Sequence, residues 1–247
     1  LDGADTVWWV EGGRVEVFTV PLDRGRPAGA RTHFVTVEAG DLMFGMDLER
    51  YAMGNGFLAV GSMGTILRRQ SVTRLQELAS DANYAEAIGR MVDGWVANLS
   101  RSLTREITPG PVADVTLEPS HDVELANQKT ARSNRGVLWI EAVEGNLLYV
   151  GMEELVFEAE SAEPAAAAHS MLLKLDDLFA AAHQQVGGGS LLFPITPDTW
   201  IEATNPGTTA SRIVVHTSRE AAAEAPMWRG LAVFHQVLCQ CEFINKK

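Results

Sequence analysis

Residue types that carry chemistry are present in this chain, but their spacing assembles no familiar catalytic set. The six histidines, His33, His121, His169, His183, His216 and His235, are scattered, with no H-x-H or H-x-x-x-H pair among them. A cupin-type metal site needs such a pair on one strand together with a Glu, so the spacing predicts no metal. Cys239 and Cys241 are too close for an easy disulfide and lack a second ligand pair for zinc, which makes them small apolar residues on a helix. The adjacent acids Asp176-Asp177 and Glu153-Glu154 read as solvated or capping pairs, not an acid–base couple. There is no G-x-S-x-G nucleophile elbow and no G-x-x-x-x-G-K-[ST] phosphate loop. No catalytic residue and no cofactor is therefore expected. Two other groups bear on binding. Met43, Met46, Met53 and Met63 cluster in one segment and fit either core filling or the adaptable wall of a peptide groove. Trp8 and Trp9 are neighbours on an expected strand, so they point to opposite faces, one to the core and one to a helix, the second half of the chain or a partner.

The elements that position these residues follow from periodicity. Val7-Trp8-Trp9-Val10, the turn Glu11-Gly12-Gly13-Arg14 and an alternating run from Val15 to Val20 predict a hairpin. Further short strands are expected at 32–37, 42–45, 57–61 and 65–68. The period then turns helical from Ser71 to about Ile107, with Leu75, Leu78, Ile88, Met91, Val92, Trp95, Leu99 and Leu103 on one stripe. Ser71 is the expected N-cap, Asp81-Ala82-Asn83 a break, and Thr108-Pro109-Gly110-Pro111 the stop. A second β pattern begins near Val137 and includes 147–150, 190–195, 199–204 and 212–216. The Ala-rich stretch from Glu158 to Gln185 predicts a strand near Met171 and a helix from about Asp176. Ser218 caps a final helix that is interrupted by Pro226 and carries Trp228, Leu231, Phe234, His235 and Leu238.

The two halves repeat one order of motifs. Val7–Glu11 matches 137–141, the Gly13 turn matches the Gly145 turn, 39–44 matches 188–193, and 65–67 matches 213–215, and each half ends in a Trp-bearing helix. The expected fold is mainly β with α: two tandem β-rolls, cyclic-nucleotide-binding-like or cupin-like, each followed by amphipathic helices. The expected division is a first lobe at 1–110, a linker at 111–135 that has room for a strand at Val112–Leu117, and a second lobe at 136–247.

The segments 6–18, Val37-Glu38-Ala39-Gly40-Asp41-Leu42-Met43-Phe44-Gly45, 95–100, 192–196, 199–203 and 230–235 occur in one order. In that order they resemble the N-terminal, cyclic-nucleotide-binding-like region of ABC transporters that export bacteriocins of the nitrile-hydratase-leader peptide type. The resemblance implies a cytoplasmic region that precedes membrane helices and an ATPase. It implies as partners a leader or precursor peptide and the rest of the transporter. By analogy with the phosphate cassette, or as a peptide groove, it marks Trp8, Gly40, Asp41, Met43, Phe44, Gly45 and Met46 as the ligand-binding segment. The segment departs from true cyclic-nucleotide binders, which carry Phe-Gly-Glu and a later Arg for the cyclic phosphate. Here Met46 follows Phe44-Gly45, and Phe193-Pro194 stands in the second half. An anion without a cation or a row of N–H donors is costly to hold, and only Arg50, Arg68 and Arg69 offer a charge.

Composition limits the classes of function. The 247 residues are 46% hydrophobic and 21% charged, with net charge −12. This is a globular composition, with no basic stripe for nucleic acid and no run of about 18 apolar residues for a membrane span. Beginning at Leu1, the sequence reads as part of a longer chain, and the acidic balance points to a basic partner. The expected function is a non-catalytic regulatory or leader-peptide recognition module of a peptide-exporting transporter, with a homodimer left open. The alternatives are a cyclic-nucleotide or small-ligand sensor and a cupin-like enzyme.

Overall fold

The computed structural model describes residues 1, 3–46, 53–105, 110–119, 121–151, 156–158, 191–205 and 210–240, with backbone only for 53, 54, 156–158 and 240. The expected elements around Met171 and Asp176, the Glu153-Glu154 and Asp176-Asp177 pairs, His169, His183, Arg50 and Cys241 lie outside these residues.

The fold is mainly β with helices, and it divides into two compact units. Unit 1 holds Leu1–Ile107, Ser218–Glu224 and Phe234–Lys247, and unit 2 holds Thr108–Thr217 and Ala225–Val233. The division differs from the expected boundaries at the C-terminal end. There, the residues from Ser218 are shared out between the two units, not kept with the second lobe.

Unit 1 is built on two groups of paired strands, one around β1 and one around β2. β1 (Thr6–Gly12) lies between β5 (Leu42–Phe44) and β7 (Ile66–Ser71), antiparallel to both. β2 (Arg14–Asp23) pairs with β4 (Thr32–Glu38), with β6 (Met53–Gly61) and briefly with β3 (Arg26–Pro27). The residues facing inward are those the alternation selects: Val15 and Val17 are fully buried. Helices α1 (Val72–Ala79) and α2 (Ala82–Thr104) follow. Ser71 caps α1 by accepting from the Arg74 N–H at 3.0 Å. Asp81 breaks the helix and restarts it, accepting from the Asn83 N–H at 2.9 Å. The expected apolar stripe is the buried face of α2, where Val92, Trp95, Val96, Leu99 and Leu103 are almost wholly enclosed.

Unit 2 repeats that pairing scheme. β11 (Leu138–Glu144) lies between β14 (Phe193–Ile195) and β16 (Ser211–Thr217), and β12 (Asn146–Tyr149) lies between β13 (Val156–Glu158) and β15 (Ile201–Ala203). The β-bulge between Val10 and Gly12 recurs between Ala142 and Glu144. Gly13 and Gly145 make the turns that follow, at φ +78° and +81°. Bulge and turn together set the internal equivalence: Val7 matches Trp139, Phe44 matches Pro194, and Leu67 matches Ile213. The match expected from the sequence is displaced by two residues at β1 and β7 and by one at β5. A two-residue slip leaves every side chain on its own face, so hydrophobic pattern alone does not detect it.

Residues 111–135, expected as a linker with a strand at Val112–Leu117, carry β8 (Val115–Leu117) within that expected strand, and also β9 (Asp122–Leu125) and β10 (Thr130–Ser133), which were not expected. β9 pairs with β16, β10 with β15, and β8 runs parallel to β10. Strands of three or four residues are too short to show a readable alternation. The final helical region is α3 (Ser218–Ala221) and α4 (Ala225–Gln240). Pro226 falls in the first turn of α4, where its missing N–H costs nothing, so the break precedes it.

Gly13→Ala and Gly145→Ala should each lower stability by about 1–2 kcal/mol, because both turns hold the left-handed backbone that a Cβ disfavours. Urea unfolding checks this, and unchanged midpoints would contradict the shared turn.

Candidate functional site

The expected ligand segment is held inside unit 1 by its own backbone. Gly40, at φ +100°, turns β4 into β5. Its N–H donates to the Val10 carbonyl at 2.8 Å, and the Val10 N–H returns a bond to the Asp41 carbonyl at 3.0 Å. The Asp41 N–H donates to Glu38 O, the Gly45 N–H to Thr6 O at 2.7 Å, and the Met46 N–H to Leu1 O. These four N–H groups are thus spent on protein carbonyls and are not free to cradle a phosphate. Met43, Phe44 and Met46 are all buried to within 2% of complete enclosure, so their side chains are core and not the wall of a groove. A Cβ on Gly45 would overlap the Gly3 carbonyl, which explains a glycine there without reference to a ligand. The two described candidate cations are also engaged. Arg68 bridges Glu11 at 2.6 Å, and Arg69 donates to the Thr6 hydroxyl at 3.1 Å.

The matching segment of unit 2 is closed in a similar way. The Thr196 N–H donates to Thr199 Oγ1 at 2.9 Å, the Thr199 N–H to Thr196 O, and the Asp198 N–H to Thr196 Oγ1. Both threonines are fully buried. The turn satisfies its own donors and builds no anion cradle from them.

Polar groups inside unit 1 are structural in their chemistry. The Trp95 Nε1–H donates to His235 Nε2 at 2.9 Å, which places the imidazole proton on Nδ1. The Phe44 ring lies 5.9 Å from that imidazole and 6.2 Å from the Trp95 ring. Burial pushes His235 down to about 3, so it is neutral at pH 7. The Cys239 thiol lies 3.7 Å from the Met46 sulfur. Ser218 donates its hydroxyl to Asp93, whose carboxyl burial pushes up to about 6 while the hydroxyl pulls it partly back. Of the other described histidines, His33 Nε2 lies 2.8 Å from Glu16 on the surface, and His121 Nδ1 lies 2.7 Å from the Pro119 carbonyl. Among the described residues no group of three His, Cys, Asp or Glu side chains could hold a metal ion.

What is left open is a surface. Trp8 and Trp9 are each half-buried, opposite Met43 and Leu42 across the β1–β5 ladder. Arg68 lies opposite Trp9 across β1–β7, with its guanidinium 5.9 Å from the Trp9 ring. Further along unit 1, Leu58, Val60, Met63, Ile66 and Leu67 are exposed on β6, on β7 and in the connection between them, two consecutive strands that belong to different sheets. These are five of the eight exposed large apolar residues described, and no catalytic spacing in the sequence marks them. The signal was there in Ile66-Leu67-Arg68-Arg69, which places apolar side chains on both faces of a strand instead of alternating.

The fold is thus a tandem β-roll whose strand β7 exposes Ile66 and Leu67 beside Arg68 and Arg69. A scan against models of known protein families finds no match, and neither does a search of curated proteins. Among solved structures the chain is similar to one described as "cAMP bound PfPKA-R (141-441)", at 10% identity and TM-score 0.26, covering 98% of this chain and 77% of that one. At that score the likeness decides nothing, and the fold rests on strand order and register. No described helix is long and apolar enough to cross a membrane.

Asp93 and His235 should give opposite pH signatures. The folded chain keeps Asp93 protonated up to about pH 6, against 3.8 ordinarily, so its contribution is present below 3.8 and lost as pH rises through that window. Asp93→Asn should therefore raise the melting temperature at about pH 7.5, with the gain gone at about pH 4. His235 binds its proton only near pH 3 when folded, against 6.5 ordinarily, so stability is lost as pH falls between those values. His235→Gln, which keeps an acceptor for Trp95, should flatten that acid loss. Melting curves across pH check both, and a pH-independent effect of either variant would contradict the assignment.

Proposed function

We propose that the chain is a non-catalytic recognition module, regulatory or substrate-recognising, of a peptide-exporting ABC transporter. The observation that carries the binding half of this reading is the exposed start of strand β7, where Ile66 and Leu67 are followed by Arg68 and Arg69. An apolar strand bordered by cations is suited to an extended peptide and offers little to a small polar ligand. The transporter half is supported by the order of segments that resemble the N-terminal region of bacteriocin exporters. The leader or precursor peptide is then the ligand, and cytoplasmic placement beside the membrane and ATPase domains follows from the same resemblance. Regulation requires the module to bind differently in two states of the transporter.

Against the sensor alternative stand the closed N–H groups of the 40–46 segment. Titration calorimetry separates the readings. A leader peptide of the nitrile-hydratase-leader type should bind in the micromolar range, and cyclic AMP and cyclic GMP should give no heat. Micromolar binding of a cyclic nucleotide, or no leader binding, would overturn the proposal.

A further inference from the structure

The two units share a roll but not its edges. In unit 2 the outer edge of β16 is covered by β9, with Arg212 opposite Glu124, Ile213 opposite Val123 and Val214 opposite Asp122. The matching stretch is residues 65–68, Thr65 and the first three residues of β7, and no described strand pairs with the outer edge of β7. The difference shows in burial. Ile213 is completely enclosed, whereas its counterpart Leu67 is 44% exposed and neighbouring Ile66 is 56% exposed.

The backbone of β7 is set for a further strand. Val10 exchanges its N–H and C=O with Asp41 and Gly40, so Trp9 is the residue of β1 that bonds across to Arg68. Leu67 and Arg69 therefore direct their N–H and C=O away from β1. In unit 2 the amide equivalent to that of Arg69 belongs to Val215, and it donates to the His121 carbonyl beside β9 at 3.2 Å.

We infer that the β7 edge takes an extended peptide strand from a partner, added antiparallel as β9 is on β16, with an apolar residue against Leu67 and an acidic residue beside Arg68. The covering strand of unit 2 supplies the pattern. Asp122-Val123-Glu124-Leu125 turns its acids outward and buries Leu125, and Asp122 lies opposite Val214, the counterpart of Arg68. Where unit 2 carries Val214 and Val215, unit 1 carries exposed Arg68 and Arg69. Pairing of β7 with β7 of a second copy would set these arginines against one another, so charge selects an acidic–apolar peptide over self-pairing. The bridge from Arg68 to Glu11 does not block this, because both side chains are more than a third exposed and such pairs exchange partners at little cost. The inference rests on the peptide-recognition reading and gives that reading a place, a direction and a charge pattern.

The test is a heteronuclear NMR titration of the full 247-residue chain with two synthetic heptapeptides. One is His-Asp-Val-Glu-Leu-Ala-Asn, a copy of residues 121–127, and the other replaces its Asp and Glu by Lys. The acidic peptide should shift the amides of Leu67 and Arg69 saturably below ~1 mM, and the basic one should not. Arg68→Glu should weaken binding about tenfold. Leu67→Pro should abolish it while sparing the ladder to β1, because only an edge-facing N–H is removed. Shifts confined to β16, equal binding of the two peptides, or full binding by both variants would overturn the inference. If a leader peptide binds with β7 unmoved, the location is wrong and peptide recognition survives. If the acidic heptapeptide binds β7 but no leader binds, the edge survives and the export reading falls.

Discussion

A rolled antiparallel sheet leaves edges, and each edge strand carries N–H and C=O groups that want a partner. Much of this structure is an answer to that constraint. Unit 2 meets it from its own chain, with β9 laid on β16 and β10 on β15. Unit 1 uses the same roll without those strands, and the described part of β7 ends its sheet. The exposure of Leu67 where Ile213 is enclosed is a consequence of that one difference. The internal repeat thus acts as its own control, since the same framework is seen with and without a covering strand.

The polar interior of unit 1 serves a different purpose. His235 accepts from Trp95, and Asp93 accepts from Ser218, so each buried group has the partner its burial demands. A neutral imidazole and a partly protonated carboxyl avoid the cost of unpaired charge in a dry interior. These pairs hold segments far apart in sequence together, over separations of 140 and 125 residues. Met43, Met46 and Phe44 join them as packing, which is why a segment that looks like a binding cassette is closed.

Much of the architecture was legible in the sequence. The turn glycines Gly13 and Gly145, the cap Ser71, the helix break at Asp81 and the Trp95 stripe all report local rules, and the structure follows them. Register was less legible, because a two-residue slip conserves the faces and only the bulge and turn resolve it. Strands β9 and β10 were hidden by their shortness. Candidate site residues fared unevenly for a physical reason. A glycine or methionine does not declare whether it lines a groove or fills a core, and burial alone decides. Net charge was similarly blunt: −12 points to a basic partner, whereas the exposed edge is locally basic at Arg68 and Arg69. Charges at contact distance outweigh a screened total spread over the surface.

The bare edge of β7 is the claim on which the functional account stands, and native-state hydrogen exchange measures it directly. The amides of Ile213 and Val215, which face β9, should be strongly protected, whereas those of Leu67 and Arg69 should exchange at the rates of open surface amides. Protection of Leu67 and Arg69 equal to that of Ile213 and Val215 would show that the β7 edge is already covered, and would contradict the account.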